Sequence, residues 1–200
     1  MNDDILCGLN DRQREAVTTT DGPLLVLAGA GSGKTTVLTK RVAYILKNAL
    51  AMPWQILAIT FTNKAAAEMK ERIAALLPDE ADDIWIKTFH SCCVRILRRD
   101  IEAIGYKSSF TIYDTQDQKR VIKEAIKSCD LNEDNFPIKS VLSVISNCKN
   151  KDIDTEEFAA ASETNYRDKQ YARLYKVYEK TLKANNALDF DDLILKTVYL

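Results

Sequence analysis

Motifs that hold metals or form disulfides are missing from this sequence. It has one histidine and five cysteines, and no two cysteines show the CxxC spacing. An odd number of unpaired cysteines with a single histidine argues against a zinc site or a disulfide framework. We therefore expect reduced, partly buried thiols.

Long apolar stretches are also missing. No run of about 18 apolar residues is present, which is the length that a membrane-spanning helix needs. The first seven residues carry two acidic side chains instead of the basic and then apolar pattern of a signal peptide. We therefore expect a cytoplasmic protein with no membrane partner. Hydrophobic residues make up 46% of the 200 positions, enough for one large core or a core with a smaller satellite.

The sequence has no excess of positive charge, since its formal net charge is −1. A protein that coats nucleic acid usually carries a clear positive excess, so any such contact must be local. The best candidates are Arg95, Arg98 and Arg99, because their spacing places them on one face of a helix.

Glycine is absent after Gly105, and the sequence pattern changes there. Before Gly105, apolar runs bounded by turn residues predict a buried parallel strand and two further strands, with helices between them. The strands are predicted over residues 23–27, 56–60 and 84–87, and the helices over 37–46, 63–77 and 89–104. This order of elements is typical of an α/β fold with β-α-β units.

After Gly105 the periodicity predicts a separate helical subdomain. The subdomain covers residues from about 110 to 185, with helices predicted near residues 114–129, 138–149, 155–161 and 167–185. A further helix is predicted after it, over residues 189–199. Asp189 is the expected N-cap of the last helix, and no stop signal follows up to Leu200. We therefore expect the chain to be the first part of a longer one.

The segment AGAGSGKT, from Ala28 to Thr35, carries the most specific chemical signal. It matches a phosphate loop, except that Ala28 stands where the strictest form has glycine. Glycines let the backbone N–H groups and the positive end of the next helix face a polyphosphate. Lys34 is expected to bind the β and γ phosphates, and Thr35 to hold Mg²⁺ through its hydroxyl group. The alternative is a glycine-rich turn that caps a helix.

A phosphate loop alone predicts only that a nucleoside triphosphate binds, because kinases, transporters, GTPases and motors share it. Four further segments resemble those of UvrD/PcrA/Rep-type helicases. Residues 9–17 (LNDRQREAV) resemble the adenine-reading Q motif, and residues 56–72 (ILAITFTNKAAAEMKER) resemble motif Ia. Residues 88–91 (TFHS) resemble motif Ib, and residues 188–193 (LDFDDL) resemble the segment before the Walker B strand. All occur in family order from end to end of the chain.

This resemblance implies an α/β fold with a RecA-like parallel sheet and an inserted all-helical subdomain. Residues 1–109 would form the first part of the ATP-binding domain, 110–186 the insertion, and 187–200 the start of the return, truncated before Walker B. The implied activity is that of a 3′–5′ DNA helicase in repair or replication, with ATP and Mg²⁺ as cofactors. The implied partners are single-stranded DNA, duplex junctions and the remainder of the same chain. Alone, the 200 residues are expected to be inactive.

The resemblance also assigns roles to individual residues. The nucleotide-binding set is Gln13, Ala28, Gly29, Ala30, Gly31, Ser32, Gly33, Lys34, Thr35 and Thr36, with Lys34 and Thr35 as the catalytic pair. The DNA-binding set is Phe61, Thr62, Asn63, Lys64, Thr88 and His90. Two alternatives stay open. Gln13 is at a position typical of helix caps, and Phe61 and Phe89 are of a residue type that is often buried in a core.

Two acidic segments resemble a Walker B box, and one residue after the phosphate loop differs from the family pattern. Residues 79–82 spell DEAD, the Walker B box of another helicase group, but they follow a helix end instead of a strand. Residues 189–192 are preceded by ANNA, so we predict that neither segment is a Walker B box. Thr36 stands where many family members have arginine, so a nucleotide contact from that arginine is not expected.

Three alternatives to this function remain at this stage. One is the front end of an AddA/RecB-like helicase-nuclease subunit, which shares these motifs. Another is a phosphate-loop enzyme that is not a motor, such as a small-molecule kinase, which predicts no stimulation by DNA. A third is a nucleotide-binding module that scaffolds partners.

Overall fold

A computed structural model describes residues 3–200, and its elements alternate between helices and short strands. In chain order they are α1 (Asp3–Leu6), α2 (Asp11–Thr18), α3 (Lys34–Lys47), β1 (Leu57–Thr60), α4 (Asn63–Leu76), β2 (Trp85–Thr88), α5 (Phe89–Asp100), β3 (Thr111–Ile112), α6 (Thr115–Ser128), α7 (Ile138–Asn150), α8 (Thr155–Ala161), α9 (Tyr166–Ala184), β4 (Ala187–Leu188) and α10 (Phe190–Val198). Met1 and Asn2, part of the segment compared above with a signal peptide, lie outside the described residues.

The chain divides into two compact units, the first ending at Cys92 and the second running from Cys93 to Leu200. In the first unit β1 and β2 pair in parallel, from Leu57 opposite Trp85 to Thr60 opposite Thr88. Parallel neighbours need a crossover connection, and α4 supplies it. The helices α3 and α4 pack with the two strands around a core that includes Val42, Met69 and Ile73. The strands predicted over residues 56–60 and 84–87 and the helix predicted between them are confirmed.

The strand predicted over residues 23–27 is not present. These residues form no regular element, and Leu25 and Leu27 are 81% and 86% exposed. A strand requires a neighbour for its N–H and C=O groups, and no segment within residues 3–200 pairs with this one. The apolar run is therefore left uncovered directly before the phosphate loop.

The second unit is built around the predicted helices. The helices α6, α7 and α9 share a core in which Ile122, Val141, Leu174 and Tyr178 are fully buried. In the sequence, β3 precedes these helices and β4 follows them. The two strands pair with each other in parallel, with Thr111 opposite Ala187. We call this pair the neck, because the chain enters and leaves the helical segment there.

Local sequence signals explain where several helices begin and end. Asn10 and Asp189 cap α2 and α10, each in a capping box with the third residue of its helix. The predicted stop at Gly105 is also confirmed, since this residue adopts a left-handed conformation with φ of 74°. Residues 101–104 before it form a 3₁₀ turn instead of continuing α5. Within residues 3–200 no helix combines the length and apolar character that crossing a membrane requires.

Candidate functional site

The phosphate loop lies directly before α3, as the sequence predicts. Gly31 and Gly33 have positive φ angles of 73° and 82°, a conformation that glycine adopts without steric cost. Gly33 has a second constraint, because a Cβ atom there would lie 2.9 Å from Nε2 of Gln13. A Cβ at Gly29 or Gly31 would meet nothing within 4 Å, so the outer side of the loop is open. The helix α3 begins at Lys34, so its positive end faces this loop.

Lys34 is exposed and bonds to its own loop. Its Nζ donates to the carbonyl oxygens of Gly29 and Ala28 at 2.6 and 3.1 Å. The Ser32 hydroxyl donates to the same Gly29 oxygen at 2.7 Å. Two neutral carbonyls bind a cation less strongly than a phosphate does, because hydrogen bonds between charged groups are stronger. Lys34 is thus held at the loop by contacts that an anion can replace.

The next two residues occupy different environments. Thr35 is exposed in the first turn of α3, whereas Thr36 is half-buried and its carbonyl oxygen accepts from Thr39 Oγ1 at 3.1 Å. An exposed hydroxyl, a lysine and a glycine loop that is open on its outer side, at the start of a helix, fit a magnesium–polyphosphate group. Thr36 has neither the length nor the charge of the arginine that the resemblance described above would place at this position.

Gln13 links the phosphate loop to α2. Its Oε1 accepts from the Asn10 N–H at 3.1 Å, and its Nε2 donates to the Ser32 carbonyl oxygen at 3.0 Å. A side-chain amide has two N–H donors and two lone pairs, so one donor and one acceptor remain for another partner. The capping interpretation of Gln13 is confirmed. The bond to Ser32, 19 positions away, is a contact that sequence reasoning missed.

A cleft of about 320 Å³ opens beside Lys34. Its lining is mostly apolar and comes from α2, α3 and the uncovered apolar run. Arg41 also lines the cleft, and its guanidinium donates to the Ala16 carbonyl oxygen at 2.6 Å.

The two predicted DNA motifs meet at one edge of the sheet. Because β1 and β2 are parallel and in register, their carboxyl ends at Thr60 and Thr88 are adjacent. Phe61 follows β1 and is 92% exposed, and Phe89 follows β2 and is 54% exposed. Neither phenylalanine belongs to a core among residues 3–200.

Polar residues surround this edge. Thr62 caps α4 by accepting from the Ala65 N–H at 3.1 Å, and the exposed Asn63 and Lys64 form the first turn of that helix. A groove of about 240 Å³ runs between the start of α4 and the end of β2, and Asn63, Lys70 and Lys87 contribute to its lining.

Two residues of the predicted DNA-binding set, Thr88 and His90, are less exposed to solvent. Thr88 is only 8% exposed, and its hydroxyl donates to Ser91 Oγ at 2.9 Å, so its side chain braces the start of α5. His90 is half-buried in the first turn of α5. Of the arginines on α5, Arg98 stacks on the ring of Phe110 and donates to the Ser108 carbonyl oxygen at 2.6 Å, which gives it a structural role.

The DEAD segment lies in turns, as predicted. Asp82 is exposed and forms an ion pair with Lys70 at 2.8 Å, and this hydrogen-bonded partner lowers the pKa of Asp82. The reason given against the second acidic segment, residues 189–192, was wrong, because Asp189 does follow a short strand, β4. The strand consists of only Ala187, the last residue of ANNA, and Leu188, which is too short for an apolar pattern to show.

Asp189 instead belongs to a buried ion cluster that the sequence analysis missed. The fully buried Lys149 Nζ lies 2.7, 2.8 and 2.9 Å from oxygens of Glu179, Asp189 and Asp192. The Tyr178 hydroxyl donates to Asp189 at 2.9 Å. These contacts hold α7, α9 and α10 together and occupy the carboxylates that could otherwise have been taken for magnesium ligands.

The electrostatics of this cluster follow from burial and charge. Burial lowers the pKa of Lys149, but the charges of Asp192, Asp189 and Glu179 outweigh it and raise that pKa well above its ordinary value. Burial raises the pKa of Asp192 to about 7, against the opposing effect of Lys149. A signal was available: Lys149 continues the buried spacing of Val141, Ile145 and Cys148 on α7.

Comparison with known proteins gives one consistent result. The UvrD/REP helicase N-terminal domain family matches residues 9–200. The chain is 53% identical to the ATP-dependent DNA helicase PcrA of Bacillus subtilis (strain 168), over all of its residues. It is 50% identical over 98% of its length to PcrA of Staphylococcus aureus (strain Mu50), and 49% identical over 96% to PcrA of Leuconostoc citreum. The chain spans only 27% of the length of the first two relatives.

Proposed function

Because the chain belongs to the UvrD/REP helicase N-terminal domain family, we propose that it is the ATP-binding front part of a DNA helicase. The helicase moves 3′ to 5′ along single-stranded DNA and opens duplex junctions, during repair or replication in the cytoplasm. The observation that carries this proposal is the phosphate loop at the start of α3, with exposed Lys34 and Thr35, inside a family match of nearly the whole chain.

The proposed fold is a RecA-like sheet of which β1 and β2 are a part. The uncovered apolar run and the apolar cleft beside Lys34 support this, since both present surface suited to burial by further strands. Within the sheet domain, residues 110–186 form the inserted subdomain and residues 187–200 begin the return. The neck lies at both of these boundaries.

ATP and Mg²⁺ bind at the phosphate loop in this proposal. The open backbone from Ala28 to Gly33 surrounds the phosphates, and Lys34 exchanges its two carbonyl contacts for the β and γ phosphates. Thr35 holds the magnesium ion, which neutralises phosphate charge when bound. The spare donor and acceptor of Gln13 match one edge of adenine.

We predict that Gln13→Ala in the full-length protein reduces the preference for ATP over GTP. A bidentate amide contact to a base edge contributes about 1–3 kcal/mol of discrimination, or roughly 5- to 150-fold. The measurement is the ratio of kcat/KM for the two nucleotides.

Gln13→Glu is the matched control for this prediction. Glutamate keeps the acceptor of the capping box but lacks the N–H donor that bonds to Ser32 and adenine. We expect it to preserve α2 and still lose base preference. A Gln13→Glu protein as selective for ATP as the unchanged one would show that Gln13 acts only as a cap.

Single-stranded DNA binds in this proposal at the adjacent ends of β1 and β2. The exposed ring of Phe61 can stack on bases irrespective of sequence, while Asn63 and Lys64 hold phosphates beside it. Thr62 and Thr88 keep their hydroxyls on the first turns of α4 and α5 and so position this surface, with His90 next to it.

Titration of single-stranded DNA at several salt concentrations tests the proposed function. We predict that Phe61→Ala and Lys64→Ala both weaken binding, but that only Lys64→Ala flattens the salt dependence. A phosphate contact releases counterions and contributes about 0.7 to the slope for single strands, whereas stacking releases none. Equal slopes for both variants would refute this division of roles, and absence of DNA binding would refute the proposed function.

A further inference from the structure

The second unit contains a lysine-rich cleft of about 490 Å³, which α9, α10 and residues 104–106 line together with Thr155. Its positive residues are Lys176, Lys180 and Lys183 on α9 and Lys196 on α10. The three lysines on α9 stand at i, i+4 and i+7, so they share one face of the helix. We propose that this cleft is a second nucleic-acid contact, which binds the phosphate backbone. This inference rests on the proposed function and adds a site to it.

The charges of the cleft are poorly compensated within the fold. Glu179 is the one acidic residue in its lining, and its carboxylate is already bound to the buried Lys149 at 2.7 Å. Lys176 has an exposed ion pair with Glu156, and Lys196 lies 4.0 Å from Asp192. Among residues 3–200, Lys180 and Lys183 form no ion pair, and they are the positive charges that the cleft leaves without a carboxylate partner, although Asp152 lies nearby as the acceptor of the Tyr199 hydroxyl.

The lysines also act on one another. Burial and then the charge of Lys196 lower the pKa of Lys183, so the two ammonium groups repel. Like charges at i and i+4 on a helix are mildly destabilising as well. An arrangement that opposes stability and is only partly compensated inside the fold is expected where a ligand of opposite charge binds.

Aromatic rings complete the cleft. Lys183 Nζ lies 3.4 Å from the centroid of the Tyr106 ring and donates to the Ile104 carbonyl oxygen at 3.1 Å, so its ammonium group is held in place. Tyr199 lines the cleft near Lys196. Positive groups interleaved with aromatic rings are the combination that binds the backbone and bases of nucleic acids.

The spacing fits a strand of nucleic acid. Lys176 to Lys183 covers seven residues, or about 10 Å along α9. Successive phosphates on one strand of duplex DNA rise by about 3.4 Å, so the lysine row spans about three steps from one phosphate to the next. A cleft open along this row suits a continuous backbone better than a single small anion.

The test is the salt dependence of DNA binding by this 200-residue chain carrying Lys180→Gln and Lys183→Gln together. Loss of two phosphate contacts is expected to reduce the slope of log K against log salt by about 1.4 for a single-stranded oligonucleotide and about 1.8 for a duplex. Lys180→Gln alone, which leaves the Tyr106 contact intact, is expected to reduce it by about half as much. Circular dichroism verifies that each variant is folded.

Lys123→Gln with Lys127→Gln is the matched control. These two exposed lysines lie at i and i+4 on α6 in the same unit, so the change in net charge is identical. A slope that falls in the cleft variant and stays unchanged in this control supports the proposal. An equal reduction of the slope in the two double variants overturns it, and so does an unchanged slope in the cleft variant. If Phe61→Ala still weakens binding while the cleft variants do not, the cleft is refuted and the proposed function stands.

Tripolyphosphate distinguishes a backbone site from a site for free phosphate. We expect it to compete with the oligonucleotide only weakly at equal phosphate concentration, since its phosphates are joined through single oxygens and lie closer together than those of a nucleic-acid backbone. Competition as strong as that of unlabelled DNA, lost in the cleft variants, would assign the cleft to a free polyphosphate and overturn the nucleic-acid proposal.

Discussion

The full-length protein with Lys34→Ala is expected to lose DNA-stimulated ATP hydrolysis by a factor of at least 10² to 10³. Lys34 is an exposed cation of the phosphate loop and stabilises charge that develops on the transferred phosphoryl group. Its two contacts are to carbonyl oxygens of its own loop, so its removal changes rate far more than packing. The measurement is phosphate release with and without single-stranded DNA.

Lys47→Ala is the matched control for this experiment. Lys47 is exposed in the last turn of the same helix, far along α3 from the phosphate loop. It should leave hydrolysis unchanged. A Lys34→Ala protein that hydrolyses ATP normally would refute the phosphate-loop assignment. If DNA does not stimulate ATP hydrolysis by the unmutated protein, a phosphate-loop enzyme that is not a motor would be favoured.

The 200-residue chain itself should bind Mg·ATP weakly without turnover. Hydrolysis also needs a carboxylate for Mg²⁺, another to orient water and a cation from a partner domain, which contributes about 10³ to 10⁵ in related systems. The DEAD segment lies in turns, and Asp189 is engaged by Lys149 and Tyr178. DNA-stimulated release that disappears with Lys34→Ala would show that one of these segments does hold the metal.

Lys149→Met is expected to lower the free energy of unfolding of this chain by about 3–5 kcal/mol. Removing one partner of a buried ion pair leaves charge without compensation, and here three carboxylates face the same ammonium group. Urea denaturation measures the change. Lys151→Met, an exposed lysine just after α7, is the control and should change stability by less than about 0.5 kcal/mol.

The loss of stability caused by Lys149→Met should depend on pH. Burial holds the pKa of Asp192 at about 7, above its value in the unfolded chain. A carboxyl of this kind stabilises the fold fully below its unfolded pKa, and this contribution is lost as pH rises through 7. Without Lys149 the carboxylates are more reluctant to ionise, so the loss of stability should be larger at pH 8 than at pH 5. A loss below about 1 kcal/mol at both values would refute the role of the cluster.

The elements that could be predicted are those fixed by local sequence. Caps such as Asn10 and Asp189 act within one turn of their helix, and Gly105 ends its helix by its own backbone conformation. The phosphate loop and the exposed Phe61 could be found because their motifs are contiguous in the chain. Helix positions in the second unit followed from apolar spacing alone.

The features that could not be predicted depend on residues far apart. The run over residues 23–27 has the composition of a strand, but strand formation depends on a neighbour that its own residues do not specify. The burial of Lys149 could not be predicted, because the carboxylates that compensate it lie 30 to 43 positions further along the chain. The lysine cleft likewise joins α9 to α10 only after the chain has folded.

The neck has a consequence for the order in which the second unit folds. Pairing Thr111 with Ala187 closes a loop of about 75 residues, which opposes closure by about 4 kcal/mol if the loop is still a flexible chain. Two residue pairs cannot offset that entropy. The helices between them, whose contacts are more local, must therefore assemble first and bring the two ends together. Changes at β3 or β4 should then leave the folding rate almost unaltered and mainly accelerate unfolding.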